Sequence, residues 1–245
     1  VTADLLRSAW IRLASVRSTW WCTAVYVVVV AGFGVLAAAG TPSSSRADVA
    51  VEVALTGFGF GQLVPVVLGV LAVSAEFGTG SAVSALVAVP RRTAWLGATT
   101  AVVAAWTAVL SALLAVGCAV AARALVAVPG GVSLTDPAVL RALGLQVACA
   151  VGVAVLAVGL AALLRATAGA VGLGIALVFV LPPALALAGG RWASLASQGL
   201  PALRVGEDPF LAVATTWPVG LAVLGAWAAA AWALGALVLE RRDVS

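Results

Sequence analysis

The residues that could do chemistry in this chain are few and clustered. Glu76 closes a long apolar run and opens "EFGTGSAVSALVAVPRR", which ends on Pro90, Arg91 and Arg92. At a membrane edge such a carboxylate can pair with a cation, and the arginines can sit among anionic headgroups. A second cluster, "GFGFGQ" at 57–62, alternates glycine with Phe58 and Phe60 and ends on Gln62. It imitates a nucleotide loop, but it follows no strand and lies within an apolar run, so that reading is rejected. Its other uses are close helix packing through Gly57 and Gly61, or contact of Phe58, Phe60 and Gln62 with an apolar substrate.

What is missing narrows the chemistry further. There is no His, and all 13 basic residues are Arg. The chain therefore lacks a Walker A or Schiff-base lysine, Ser-His or Cys-His catalysis, and the HExxH metal site. Cys22, Cys118 and Cys149 lie far apart in apolar runs without a CxxC pair, so they read as buried small hydrophobes. No catalytic, cofactor or metal site is expected, and no enzyme activity of the chain itself. Energy for any work must come from an ion gradient or another polypeptide. No charge falls at mid-depth in the apolar runs, which argues against a proton relay or ion pump.

The elements that hold these residues are membrane helices. Over 245 residues the chain is 64% hydrophobic and 9% charged, with a mean hydropathy of +1.19. A soluble domain would carry roughly a quarter charged residues. The apolar runs are continuous rather than alternating, as a membrane β-barrel would require. The expected fold is an all-α polytopic membrane protein forming one domain over 1–245. Its six spans are placed at about 21–39, 54–75, 94–122, 142–164, 167–187 and 218–239. Residues 142–188 carry a single charge, Arg165, and one helix of that length would be about 70 Å long. Two crossings with a turn at Arg165 resolve this. Pro182-Pro183 predicts a helix break near Leu181 and a partly re-entrant outer segment over 182–213. No Met occurs and the chain opens at Val1, which fits a non-Met start codon in a GC-rich gene. Residues 1–20 lack a signal-peptide layout, since Trp10, Arg12 and Arg17 interrupt them.

With both termini inside, Arg7, Arg12, Arg17, Arg91, Arg92, Arg165, Arg241 and Arg242 are cytoplasmic. Arg46, Arg123, Arg141, Arg191 and Arg204 are then outside, so the basic excess of eight to five obeys the positive-inside rule. The net charge of +4 is mostly this bias towards lipid, and nothing suggests nucleic acid. Trp10, Trp20, Trp21, Trp95, Trp192 and Trp217 fall near the expected membrane boundaries. Residues 3–18 read as an amphipathic interfacial helix. Leu5, Leu6, Ala9, Trp10, Leu13 and Val16 share one face, while Ser8, Arg12 and Ser15 lie opposite.

The Glu76–Arg92 stretch then becomes the cytoplasmic link between spans two and three. Ser81 to Val89 has the length of about two helical turns, stopped by Pro90. Read plainly, it is a membrane-edge loop with a solvated Glu76 and arginines that serve topology alone. Its length exceeds the roughly six residues that join neighbouring helices, which favours a further role.

"LRSAWIRLASVRSTWW" at 6–21 and "GQLVPVVLGVLAVSAEFGTGSAVSALVAVPRR" at 61–92 resemble the ABC-2 type permeases of bacterial ABC exporters. The resemblance covers about 90 residues, and the rest agrees in layout. It implies an N-terminal elbow helix carrying Arg7, Trp10, Arg12 and Arg17, and an outer re-entrant hairpin before span six. It implies that Glu76, Phe77, Gly78, Thr79, Gly80, Ser81, Ala82, Val83, Ser84, Ala85, Leu86, Pro90, Arg91 and Arg92 belong to an ATPase-coupling segment. Within it, "SAVSALVAV" is nearly all small and apolar and calls for a less polar docking groove. It further implies a multi-pass subunit of the bacterial plasma membrane that dimerises with a second permease copy. A separate ABC ATP-binding subunit, holding ATP and Mg, would drive export of a lipophilic substrate. The alternative is a six-helix substrate-binding, anchor or immunity protein with no energy coupling. For Glu76 an ion pair is expected with Arg12 or Arg17, or with Arg91 or Arg92.

Overall fold

Asp136 starts the helix that organises the fold. Its carboxylate accepts a hydrogen bond from the Ala138 N–H at 2.8 Å, and Pro137 takes the first helical position. A missing N–H costs nothing there, because the first N–H groups of a helix have no partner within it. The helix runs uninterrupted from Pro137 to Leu164 and stops at Arg165, whose backbone is left-handed with φ 53°.

The computed structural model describes residues 2–41, 47–78, 92–126, 133–188, 200 and 217–241. Among them there is no strand. Helix α1 (Thr2–Ser15) ends at a kink on Val16, and α2 (Arg17–Ala39) follows at once. Next come α3 (Ala47–Ala54), α4 (Gly57–Gly61) and α5 (Leu63–Gly78). Then follow α6 (Arg92–Leu125), α7 (Pro137–Leu164) and α8 (Thr167–Ile175). A π-helical turn (Ala176–Val180), α9 (Leu181–Ala188) and α10 (Trp217–Arg241) complete the chain. Six helical segments are long and apolar enough to cross a membrane: Arg17–Ala39, Val49–Ala75, Thr93–Leu125, Pro137–Leu164, Thr167–Leu185 and Trp217–Arg241. The surface agrees with that solvent. Val28, Leu36 and Leu113 are 70%, 72% and 67% exposed. Each would forgo on the order of 2 kcal/mol if left in water rather than hydrocarbon.

Neighbouring residues fix the helix directions. Gln62 meets Cys149, and the Gly69 Cα faces the backbone of Ala154 and Val158, so α5 and α7 run the same way. Gly152 faces Leu224 and Gly159 faces Ala231, so α10 runs with them. Thr23 bonds Trp106 and Tyr26 bonds Ser111, making α2 and α6 parallel to each other. Gly57 and Gly61 lie against Val30, and Gly61 also meets Tyr26, which sets α2 antiparallel to α4 and α5. Gly174 meets Val66 and Phe179 meets Phe60, so α8 also runs against α5.

Helix α7 packs against α5, α6, α8 and α10. Its inner face joins one apolar core, which includes Val70, Trp95, Val153, Ala157 and Leu239. A second core fills the space between α2, α3, α4 and α6 around Tyr26, Val30, Leu55, Phe58 and Ala119.

Three expectations change. The second span starts earlier than 54, at Val49, and runs to Ala75. Its helix is locally distorted at Leu55-Thr56 and again at Gln62, where Thr56 and Gln62 keep right-handed helical backbone. The glycine run is a weak helix former, and the Thr56 hydroxyl donates to the Val53 carbonyl at 2.8 Å. The prolines do not break the helix at Leu181. The preceding π-helical turn, in which the Leu181 N–H donates to the Ala176 carbonyl, widens the backbone before the prolines, and the helix continues to Ala188. A wider turn relieves the clash of a proline ring with the carbonyl four residues earlier. Residues 182–188 are therefore helical, and the remainder of the expected re-entrant segment, 189–213, falls outside the described residues apart from Leu200. Finally, Trp95 is not a boundary anchor, since it is only 1% exposed.

One device recurs. Pro137 and Pro218 fall in the first two positions of their helices, where the N–H that proline lacks would be unpaired.

Candidate functional site

Helix α1 lies against α6, and its protein-facing side is Leu5, Ala9 and Leu13, spaced four residues apart. Ala9 and Leu13 are buried, whereas Leu6, Trp10 and Val16 are exposed. The apolar stripe expected on one face is thus divided between bundle and surroundings. Ser8 and Arg12, expected on the opposite polar face, are half-buried. In a membrane a helix can present apolar side chains to both protein and lipid, so a polar-out rule loses its force.

Arg12 and the tryptophans hold this corner together. The Arg12 guanidinium carbon lies 6.0 Å from the Trp95 ring centroid. Trp10 and Trp20 both meet Trp106, with ring centroids 5.4 Å and 5.6 Å apart. The Trp106 indole N–H donates to the Thr23 hydroxyl at 3.2 Å, and that of Trp20 donates to the Ala14 carbonyl at 2.9 Å. These contacts span the Val16 kink and fix α1 relative to both α2 and α6. Between α1, α2, α5 and α6 lies a cavity of about 230 Å³, bordered by Arg12, Val16, Cys22, Ala72, Thr99 and Val103 among others.

Of the predicted coupling residues, Glu76, Phe77 and Gly78 form the last turn of α5, and Arg92 opens α6. Thr79, Gly80, Ser81, Ala82, Val83, Ser84, Ala85, Leu86, Pro90 and Arg91 lie outside the described residues, as do the side chains of Glu76 and Arg92. The expected ion pair of Glu76 falls there too. Ala75 borders the cavity with Arg12, so the backbone of α5 leaves the bundle at the corner where α1 sits. Arg7 and Arg17 are exposed.

The predicted substrate-path residues form a separate group. Phe58 is 1% exposed and meets Tyr26 edge-on. Phe60 points outward and stacks on Phe33 at 4.8 Å. The Gln62 amide donates to the Cys149 sulfur at 3.3 Å. None of the three borders the 230 Å³ cavity. The packing use of the glycines is plain, because a side chain at Gly57 or Gly61 would collide with Val30. The opposite end of α7 makes the turn expected at Arg165. Arg165 closes the two-residue turn to α8, and its guanidinium donates to the Val238 carbonyl of α10 at 3.3 Å. Among the described residues, no three acidic or cysteine side chains converge as a metal site would need.

No protein-family model matches this chain, and none of the curated proteins matches it.

Proposed function

We propose that the chain is the membrane-spanning permease subunit of an ATP-driven exporter, with its N-terminal helix and the α5–α6 link on the cytoplasmic side. The observation that carries this reading is a convergence. Helix α1 is fixed onto the first turns of α6, through Arg12 over Trp95, at the corner where α5 ends. A link placed there can pass movement of a docked partner to α5, α6 and α1 together. Orientation with both termini inside follows from the arginine distribution. The absence of any lysine leaves ATP and Mg to a separate ATP-binding subunit. The membrane would be the bacterial plasma membrane, and the substrate a lipophilic compound.

Phe58 is buried and Gln62 is engaged with Cys149, so neither lines an open path among the described residues. The exporter reading therefore places the path between two permease copies. If the chain is monomeric in membranes, the same packing favours the second reading, a binding or anchor protein without energy coupling. Co-expression with candidate ATP-binding subunits, followed by affinity capture of this chain, separates the two. A stoichiometric complex supports the exporter, and solitary recovery from every pairing contradicts it.

A further inference from the structure

The cavity between α1, α2, α5 and α6 joins an apolar body to buried hydroxyls. Leu68, Leu71 and Ala72 of α5 face Val102 and Val103 of α6 across it. At about 230 Å³ it is half again as large as the ~150 Å³ apolar cavity that admits benzene in an engineered protein. Space of that size and lining suits a short alkyl chain. Thr19 of α2 and Thr99 of α6 also border it, and they are only 6% and 5% exposed. The Thr99 Oγ1 has no hydrogen-bond partner, and the Thr19 hydroxyl makes no hydrogen bond among the described residues. A buried hydroxyl left unpaired costs about 1–3 kcal/mol, and it can both donate and accept. A guest hydroxyl would relieve that cost. Charge selects in the opposite sense. Arg12 is the one charged residue among the described ones at the cavity, and it is already engaged, with Trp95 among its partners. An anionic guest would find no free cation there, and a cationic guest no carboxylate. An ion buried without a partner costs far more than a neutral hydroxyl.

We propose that this cavity binds an uncharged single-chain amphiphile, its alkyl body between α5 and α6 and its hydroxyl paired with Thr19 or Thr99. Such a guest differs from a bilayer phospholipid, whose phosphate would go unpaired here. Binding of this kind needs no second subunit and no ATP, so it is independent of what drives the protein.

Protein reconstituted in phosphatidylcholine vesicles is irradiated with a diazirine derivative of 1-octanol, and the labelled residues are read by mass spectrometry. Label is expected on cavity residues such as Leu71, Ala72 and Val103. At equal membrane concentration, 1-octanol should displace that label. Octane should compete about fivefold less well, and octyl sulfate and octyltrimethylammonium more weakly still. Thr19→Val with Thr99→Val should keep the cavity label but lose the preference for octanol over octane. Ala72→Phe, which places a ring in the cavity, should abolish the label. Should that ring unfold the protein, the valine variants still decide, because they remove only hydroxyls that hold no bond. Label confined to lipid-facing residues such as Val28 and Leu113 would mean that bilayer chains keep the probe out, and it overturns the proposal. Equal competition by the charged analogues, or a preference for octanol that survives loss of both hydroxyls, overturns it too.

Discussion

Arg12 rests over Trp95, guanidinium carbon to ring centroid 6.0 Å, and Trp95 itself is buried. A cation over an indole is worth about 0.5–1 kcal/mol at an exposed site and about 2 kcal/mol when desolvated, and half-buried Arg12 falls between these. This contact joins α1 to the first turns of α6. Trp95→Leu should therefore loosen α1, and trypsin should cut after Arg7, Arg12 or Arg17 several-fold faster than in wild type. Arg12→Lys keeps the cation and should sit between the two. Equal cleavage rates in all three would show that α1 is held by its apolar face alone.

The α7–α10 crossing depends on two glycines that face each other. A Cβ at Gly159 would lie 2.5 Å from the Trp232 nitrogen, and one at Gly235 would lie 2.8 Å from the Gly159 carbonyl oxygen. Neither backbone can yield without moving its helix. Gly159→Val and Gly235→Val should each cost about 1–3 kcal/mol, seen as a lower unfolding temperature in detergent. Gly225, on the same helix as Gly235, has open space around it, so Gly225→Ala should leave that temperature unchanged or raise it slightly.

How far the sequence reveals this fold depends on the kind of signal. The six spans and the turn at Arg165 were legible because apolar length is set by bilayer thickness and a mid-membrane charge is costly. The packing role of Gly57 and Gly61 was legible from their four-residue spacing. The continuation through Pro182-Pro183 was not, because hydropathy carries no trace of a π-helical turn at 176–180. The half-buried position of Arg12 was hidden for a different reason. Helical spacing gives a side chain's angle but not which neighbour stands there, and the cavity exists only once four helices are assembled. Of the candidate site, Arg12 and Trp10 reach the α1–α6 corner, while Phe58, Phe60 and Gln62 belong to the packing between α2, α4 and α7.

Tyr26 and Ser111 share a buried hydrogen bond of 2.9 Å between α2 and α6. Polar pairs between membrane helices average about 0.6 kcal/mol, with a maximum near 1.7. Tyr26→Phe and Ser111→Ala should each lower stability within that range. The double variant should lose less than the sum, because the second change no longer strands a partner. Strict additivity in a double-mutant cycle would show that the bond contributes nothing.

Arg165 ends α7 in the left-handed region, which costs a residue with a side chain about 1–2 kcal/mol. Glycine removes that cost but also the bond to Val238. Arg165→Gly should therefore change the unfolding temperature little, whereas Arg165→Val, β-branched and without the donor, should lower it clearly. A larger loss for Gly than for Val would mean that the guanidinium, not the backbone, decides this turn.

The exporter reading is tested most directly by reconstituting this chain in liposomes with its candidate ATP-binding subunit and measuring ATP hydrolysis. Coupling through the α5–α6 link predicts that the chain raises hydrolysis above that of the ATP-binding subunit alone. It also predicts that Glu76→Gln, or Ser84→Glu within the apolar patch, reduces the increase while the chain still inserts. Hydrolysis that is the same with and without this chain would contradict the account.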